Sequence, residues 1–323
     1  MKTILDFDKE PTQDSIICIA TMYNERDSLN YFIEYYVKMG VSHFIFIDND
    51  SSDDSVDIIN KHIGNAELKI IYTDESYADN DFGMVWVNNI MKEYKDHWLL
   101  VIDLDEYVIL KDNQTLIDFR SEMINKNQNA SQFCLIDFYP AENYMQSISP
   151  NGIDPFKHST NYDNCNEENY YFTDVAPDKS LVIKGGFRQR HFKGEKATNS
   201  SYCLHKKSFF KFDFHESHRL SVGMHWLFPH AFKSWKFRSW NKYNKFISYN
   251  ENVNILAHFK FVKRDFEKYL EKRIERNQDW NQSNEYKTYE FNISEFYSET
   301  STEEFKDNNK LYFDTIDKLF KKT

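Results

Sequence analysis

Three carboxylates stand at the end of one short apolar run. Residues 98–102 are Trp-Leu-Leu-Val-Ile, and Asp103, Asp105 and Glu106 follow. A run of that length reads as a buried strand. Side chains of a strand repeat every second residue, so Asp103 and Asp105 can face one ligand. In an open α/β sheet, ligands gather outside the carboxyl ends of the strands. Hard oxygen ligands at such a place suit magnesium or manganese carrying substrate phosphates.

The elements needed to position that motif precede it. Residues 16–20 form an apolar run that breaks into a polar loop at Thr21, and Leu29, Phe32, Ile33, Tyr36 and Val37 then recur at helical spacing. Asp27 or Ser28 is the expected cap of that helix. Residues 44–47 are a second strand ending at Asp48. Ser52 or Asp53 then introduces a helix bearing Val56, Ile59 and Ile63. Residues 68–72 predict another strand, and 80–94 a helix striped by Met84, Val87, Met91 and Tyr94. Strands alternating with helices imply a mostly parallel βαβ sheet. The 8 glycines include no Gly-x-Gly-x-x-Gly and no P-loop. Phosphates must therefore be met by a metal and by basic side chains rather than by a glycine cradle.

The ordered set Thr21-Met-Tyr-Asn-Glu25, Asp48-Asn-Asp-Ser-Ser-Asp53 and Asp103-Leu-Asp-Glu-Tyr107 resembles glycosyltransferase family 2 and its GT-A-fold relatives. It is most similar to a bacterial branch with a Leu-Asp-x-Asp-Glu-Phe/Tyr motif. The resemblance implies an α/β, Rossmann-like GT-A sheet flanked by helices, with a loop-rich acceptor half and C-terminal helices. It implies a catalytic domain over 1–262, its nucleotide-sugar half near 14–110 and acceptor half over 111–262, and a helical extension over 263–323. Thr21, Tyr23, Asn24 and Glu25 would line the nucleoside site. Asp48 would contact base or ribose, Asp103 the ribose, and Asp103 with Asp105 the Mn2+ or Mg2+. Glu106 would orient Asp105 or a metal-bound water. Many such enzymes return a late histidine to the metal, and His258, in the strand-like run 255–261, would be that ligand or a diphosphate contact, the competing reading being a buried structural histidine. The implied reaction is inverting transfer from a nucleotide-sugar, a UDP-sugar above all, to a glycan or lipid-linked acceptor in bacterial surface polysaccharide synthesis. Inversion needs a carboxylate base. Asp137, after the apolar run 133–136, is nominated, with Glu142 or Glu216 as substitutes. The competing reading of Asp137 is a turn or cap residue.

Residues 184–211 invert the local charge, with eight cations, Lys206 and Lys207 among them, against Glu195 alone. Such a segment is expected either to line the donor diphosphate or an anionic acceptor, or to be a solvated loop salt-bridged to the acidic surface. His215-Glu-Ser-His218 lacks zincin spacing. His225, beside aromatics, reads as a satisfied structural histidine ahead of an acceptor-pocket residue. The stretch 143–178, with Pro150, Pro155 and Pro177, predicts long loops. Residues 264–277 and 303–322 predict amphipathic helices, the last with a minority reading as a membrane-surface contact.

Composition agrees with a catalytic chain. The 323 residues are 41% apolar and 17% aromatic, enough for a sizeable core, and the net charge of -11 argues against nucleic acid as a partner. No apolar run approaches the ~20 residues needed to span a bilayer. The N-terminus has acids where a signal peptide needs an apolar centre. The 4 cysteines are scattered, with Cys18 a small core residue inside the first strand. These features lead us to expect a cytoplasmic protein, with the inner membrane face as a docking option. Two rivals share part of the pattern. A metal-dependent nucleotidyltransferase would share the carboxylates but needs a glycine-rich phosphate loop. A noncatalytic carbohydrate-binding protein would use the aromatics but has no need of the acidic triplet.

Overall fold

A computed structural model describes residues 1–140, 154–166, 168–175, 180–212, 218–229, 253–262, 266–278, 282–283, 285–287 and 301–305. Its first half is a six-stranded sheet in the order β1-β4-β3-β2-β5-β12. The four central strands, β2 (Ile16–Met22), β3 (His43–Asp48), β4 (Glu67–Tyr72) and β5 (Trp98–Val101), run parallel. β1 (Lys2–Leu5) and β12 (Phe209–Lys211) close the edges antiparallel. The near-continuous apolar character of β2 and β3 follows from burial on both faces, as parallel sheets require.

Helices α1 (Arg26–Lys38), α2 (Ser55–Asn60) and α3 (Met84–Met91) make the crossovers. The expected stripe of α1 holds, with Leu29, Phe32, Ile33 and Tyr36 buried, but neither Asp27 nor Ser28 caps it. Glu25 occupies that position without a side-chain cap bond. The cap of α2 is likewise Asp54 rather than Ser52 or Asp53. α3 is shorter than expected because Gly83, at φ 78, ends the preceding turn just before Met84.

The strand order places the site. From β2 the chain moves outward through β3 to β4, then returns to the opposite side of β2 with β5. The crevice between the carboxyl ends of β2 and β5 is thus the switch point of the sheet, where ligands bind in open α/β folds.

A second sheet, β16-β8-β7-β15-β6 with β11 also on β7, packs beyond that crevice. β6 (Glu106–Ile109) begins inside the acidic motif itself, so Glu106 and Tyr107 belong to a strand. β15 (Asn254–His258) lies between β6 and β7 (Phe133–Tyr139), antiparallel to the first and parallel to the second. This register sets His258 opposite both Glu106 and Asp137. β11 (His205–Lys206), β8 (Asn161–Asp163) and β16 (Thr302–Glu304) complete it.

Several sequence expectations change. Residues within 143–178 are not all loop: α5 (Pro155–His158), β8 and β9 (Tyr170–Val175) lie there. The basic stretch is not all solvated loop: β10 (Ser180–Gly185), α6 (Phe187–Lys193), β11 and β12 run through it, and only its middle, 194–200, is a mostly exposed loop. The helix expected from 264 is α7 (Phe266–Arg276). Where a helix was expected from 303, residues 302–304 pair with β8 as a strand, and 306–322 lie outside the described residues. Among the described residues no helix is long and apolar enough to cross a membrane. Cys18 is buried in the core as expected.

Candidate active site

A cleft of about 260 Å³ opens at the switch point. One side is the β2 loop, with Thr21, Tyr23 and Glu25, and Asn49 after β3. The floor is Asp103, Leu104 and Asp105, and His258 comes from β15. α7 supplies Tyr269, Arg273 and Arg276, so the last helix covers a cleft built by the first strands.

The acidic turn sorts its carboxylates by exposure. The Asp103 side chain is 42% exposed and that of Asp105 19%, whereas Glu106 is 1% exposed. Two carboxylates therefore face the cleft and one faces the protein. Glu106 meets Lys206 at 2.7 Å, and the same ammonium lies 3.3 Å from Asp103. Burial pushes the Glu106 carboxyl up to about 7 against the pull of Lys206. Burial also disfavours the Lys206 charge, but Glu106 and Asp103 more than offset this and raise its pKa. Tyr36 of α1 braces the turn from behind: its hydroxyl donates to Glu106 O and accepts from Val108 N, both at 3.0 Å.

His258 links the turn to the second sheet. Its Nδ1 donates to Asp137 Oδ1 at 2.6 Å, and its Nε2 lies 3.4 Å from Asp105 Oδ2. Burial opposes protonation of this ring, yet Asp105 and Asp137 outweigh it and raise the pKa to about 9. Asp137 in turn takes Arg188 Nε at 3.0 Å, and Arg188 reaches the cleft-lining Glu285 at 2.8 Å. Burial alone would raise Asp137, but Arg188 and His258 bring it down to about 2. Charges thus alternate through the wall from Asp105 to Glu285.

The donor set fits a hard divalent cation. Asp103 and Asp105 offer oxygens at a strand end. The His258 Nδ1–H is tied to a carboxylate, which is how metal-binding histidines are commonly oriented, and the other nitrogen lies against Asp105. The three residues named for the metal from sequence all line the cleft, with His258 Nε2 and Asp105 Oδ2 3.4 Å apart.

Other expected site residues are not. Asp137 has a fully buried side chain and does not line the cleft, so it holds His258 and Arg188 and is not placed to meet an acceptor. It is no turn residue either, since β7 runs through it. Asp48 is buried outside the cleft lining and accepts from Ser51 N at 3.0 Å, while its neighbour Asn49 lines the wall. Asn24 is also diverted: its Oδ1 accepts from Ser52 N at 2.8 Å and Asp53 N at 3.2 Å, which shapes the β3–α2 loop. Lys206 lies behind the acidic turn, and Lys207 is buried with its Nζ 2.7 Å from Gln132 Oε1, so neither lines the cleft. Glu142 and Glu216 lie outside the described residues.

The cations that do line the cleft are Lys260, Arg273 and Arg276. Arg273 pairs with Glu25 at 3.2 Å. Arg276 lies 3.8 Å over the Tyr23 ring and donates to Asn49 Oδ1 and Asn49 O. Asn49 is fixed for this by its own Nδ2, which donates to Thr73 O and Glu75 O. The spacing of Arg273 and Arg276, one turn apart on an amphipathic helix, was the available signal. Only the tertiary fold shows which face turns to the cleft. His225 is half-buried against His205, with burial and then Lys206 lowering its pKa to about 4. His205 is also held neutral, chiefly by burial, at about 2.

Residues 13–182 match the model of glycosyltransferase family 92. The chain belongs to glycosyltransferase family 92. The matched region of this family 92 chain holds the β2 loop, the acidic turn and Asp137, while His258 and α7 lie beyond it. The motif resemblance to family 2 thus stands at the level of a glycosyltransferase, and the family is 92. A search of curated proteins finds no match. Among solved structures, the family 92 chain is similar to S. aureus TarS 1–349 in complex with UDP, at 15% identity and TM-score 0.31, covering 43% of this chain and 38% of that one. It is similar to HddC from Yersinia pseudotuberculosis at 11% identity and TM-score 0.37, covering 80% and 98%. It also resembles a putative glucose-1-phosphate thymidylyltransferase from Bacillus anthracis, at 12% identity and TM-score 0.38, covering 84% and 98%. Similarity at this level bears on neither substrate nor mechanism.

Proposed function

We propose that this chain transfers a sugar from a nucleotide-sugar, with a UDP-sugar favoured, to a glycan or lipid-linked acceptor, and that it requires Mn2+ or Mg2+. The observation that carries this reading is that Asp103, Asp105 and His258 line one cleft at the switch point of a family 92 sheet. Asp103 and Asp105 would hold the cation with His258 Nε2, and Asp137 would keep that ring oriented. When bound, the cation supplies positive charge to the leaving diphosphate. Arg273 and Arg276 add cationic charge from α7 in the place the sequence had given to Lys206 and Lys207. Lys206 instead offsets the repulsion among the clustered carboxylates. Tyr23 and Asn49 offer a ring face and acceptor oxygens to a nucleobase. Transfer would form the bond from acceptor oxygen to anomeric carbon and break the bond from that carbon to the diphosphate oxygen, with the acceptor proton passing to a base. We further propose that the catalytic unit runs to 262 with α7 as its cover, that transfer inverts the anomeric centre, and that it serves bacterial surface polysaccharide synthesis at the inner face of the membrane.

The test is a panel of UDP-, GDP-, TDP- and CMP-sugars incubated with purified protein and manganese. Slow hydrolysis of one donor, abolished by EDTA and by Asp105→Asn, is expected. A folded protein that neither binds nor hydrolyses any of them defeats the reading.

A further inference from the structure

Behind the acidic turn, on the opposite face of β11 from Lys206, lies a cluster that the transfer reaction does not use. Cys203 and His205 are two residues apart on an extended segment, so their side chains share a face. His225, from the turn after residues 222–224, comes up against them, and donor atoms of all three lie within 4.8 Å of one another.

The geometry points to a zinc site formed by Cys203, His205 and His225, distinct from the oxygen-rich centre of the cleft. A thiolate with two imidazoles is a borderline-soft set that selects zinc over manganese or magnesium. Tetrahedral zinc, with bonds of about 2.3 Å to sulfur and 2.0–2.1 Å to nitrogen, sets sulfur and nitrogen about 3.6 Å apart and two imidazole centroids about 5 Å apart. Cys203 Sγ is 3.3 Å from His205 Nδ1 and 3.6 Å from its Nε2, and the two histidine rings are 5.4 Å apart between centroids.

The ring orientations suit the same role. His225 Nδ1 donates to His205 O at 2.8 Å, which leaves the Nε2 lone pair for an ion. His205 Nδ1 accepts from Ile183 N at 3.2 Å and lies 3.4 Å from Ile183 O, so loading requires a switch to the tautomer in which Nδ1–H donates to that carbonyl and Nε2 ligates. Carbonyl partners of this kind are the usual supports of zinc-bound histidine. Gly223 permits the approach, because a Cβ at that position would stand 2.7 Å from His225 Nε2.

Of the cations that act on this cluster, Lys206 is matched by Glu106 and Asp103, and Arg188 by Asp137 and Glu285, while Lys184 favours the Cys203 thiolate and Lys207 is engaged by Gln132. Cys203 is only half-buried, which gives an ion and its fourth ligand, a water, a way in. The site pins the turn carrying the cleft residues Gly223 and Met224 to the strand carrying Lys206.

Untagged full-length protein equilibrated with zinc and dialysed should retain about one zinc per chain by elemental analysis. The cobalt-exchanged protein should show thiolate-to-cobalt charge transfer in the near ultraviolet, lost in Cys203→Ser and weakened in His225→Asn. Asp105→Asn should keep both the zinc and the band, which separates this centre from that of the donor. Because either cluster variant can misfold, wild-type protein is also alkylated with and without zinc, and zinc should protect Cys203. Folded wild type that takes up no zinc, a cobalt band that survives Cys203→Ser, or alkylation of Cys203 indifferent to zinc would each overturn the site.

Discussion

Asp105 and His258 face each other across 3.4 Å, and the proton between them bears on how a cation binds. A cation held by His258 would have to displace its proton, so its affinity would depend on pH. With the folded pKa raised to about 9, manganese-dependent nucleotide binding should tighten as pH rises from about 7 toward 9. Titration calorimetry at several pH values checks this, and a flat profile would remove His258 from the ligand set. Without metal the sign for stability is opposite. A histidine raised above its unfolded value of about 6.5 contributes stability fully below that pH and loses it as pH approaches about 9. Asp105→Asn should abolish manganese-dependent binding and transfer while circular dichroism stays native. Asp137→Asn has a different signature. It leaves Arg188 and His258 with a neutral partner in a buried wall, and breaking such a pair costs about 3–5 kcal/mol. Denaturant unfolding should show that loss, whereas a true acceptor base would lose turnover at unchanged stability.

At the scale of elements, α7 is where this cleft departs from a simple strand-end site. Arg273 and Arg276 tie it to Glu25 and Asn49, across more than two hundred residues of chain. Replacing either arginine by Ala should weaken UDP binding by about 1.5–3 kcal/mol, the scale of a charge-assisted hydrogen bond. Calorimetry would show roughly a tenfold or larger rise in Kd, with an Arg276→Lys variant recovering part of it. Tighter binding on removing Arg276 would mean that its guanidinium stands where the base stacks on Tyr23. Lys206→Ala and Lys207→Ala divide similarly. The first removes a partner of Asp103 and Glu106 and should disturb the acidic turn, and the second removes a buried contact to Gln132.

For the whole molecule, the two sheets meet at one crevice, so a ligand bound there bridges both. UDP with manganese at a hundredfold excess over Kd should add about 2.7 kcal/mol of stability, read as a rise in Tm. Neither UDP nor manganese alone should match it, because the proposed site needs both the carboxylates of the first sheet and His258 of the second. An equal rise with UDP and EDTA would place the nucleotide without a metal.

What the sequence determined by itself was local. Apolar runs of strand length ending in Thr21, Asp48 and Asp103 are contiguous signals, and burial on both faces of a parallel sheet makes them legible. The sheet, the acidic turn and Asp103 and Asp105 were readable for that reason. Register and side-chain direction were not. Lys206 and Lys207 are neighbours in the chain, but an extended backbone sends them to opposite faces, one to the acidic turn and one to Gln132. Asp137 looked like a strand-end carboxylate because the apolar run stops there, whereas β7 continues to Tyr139 and buries it. Asn49 lines the cleft where Asp48 was expected, because the turn after β3 uses the carboxylate for its own backbone. The placing of Arg273 and Arg276 over Tyr23 depends on how a distant helix packs, and only the tertiary structure decides which cations a cleft receives.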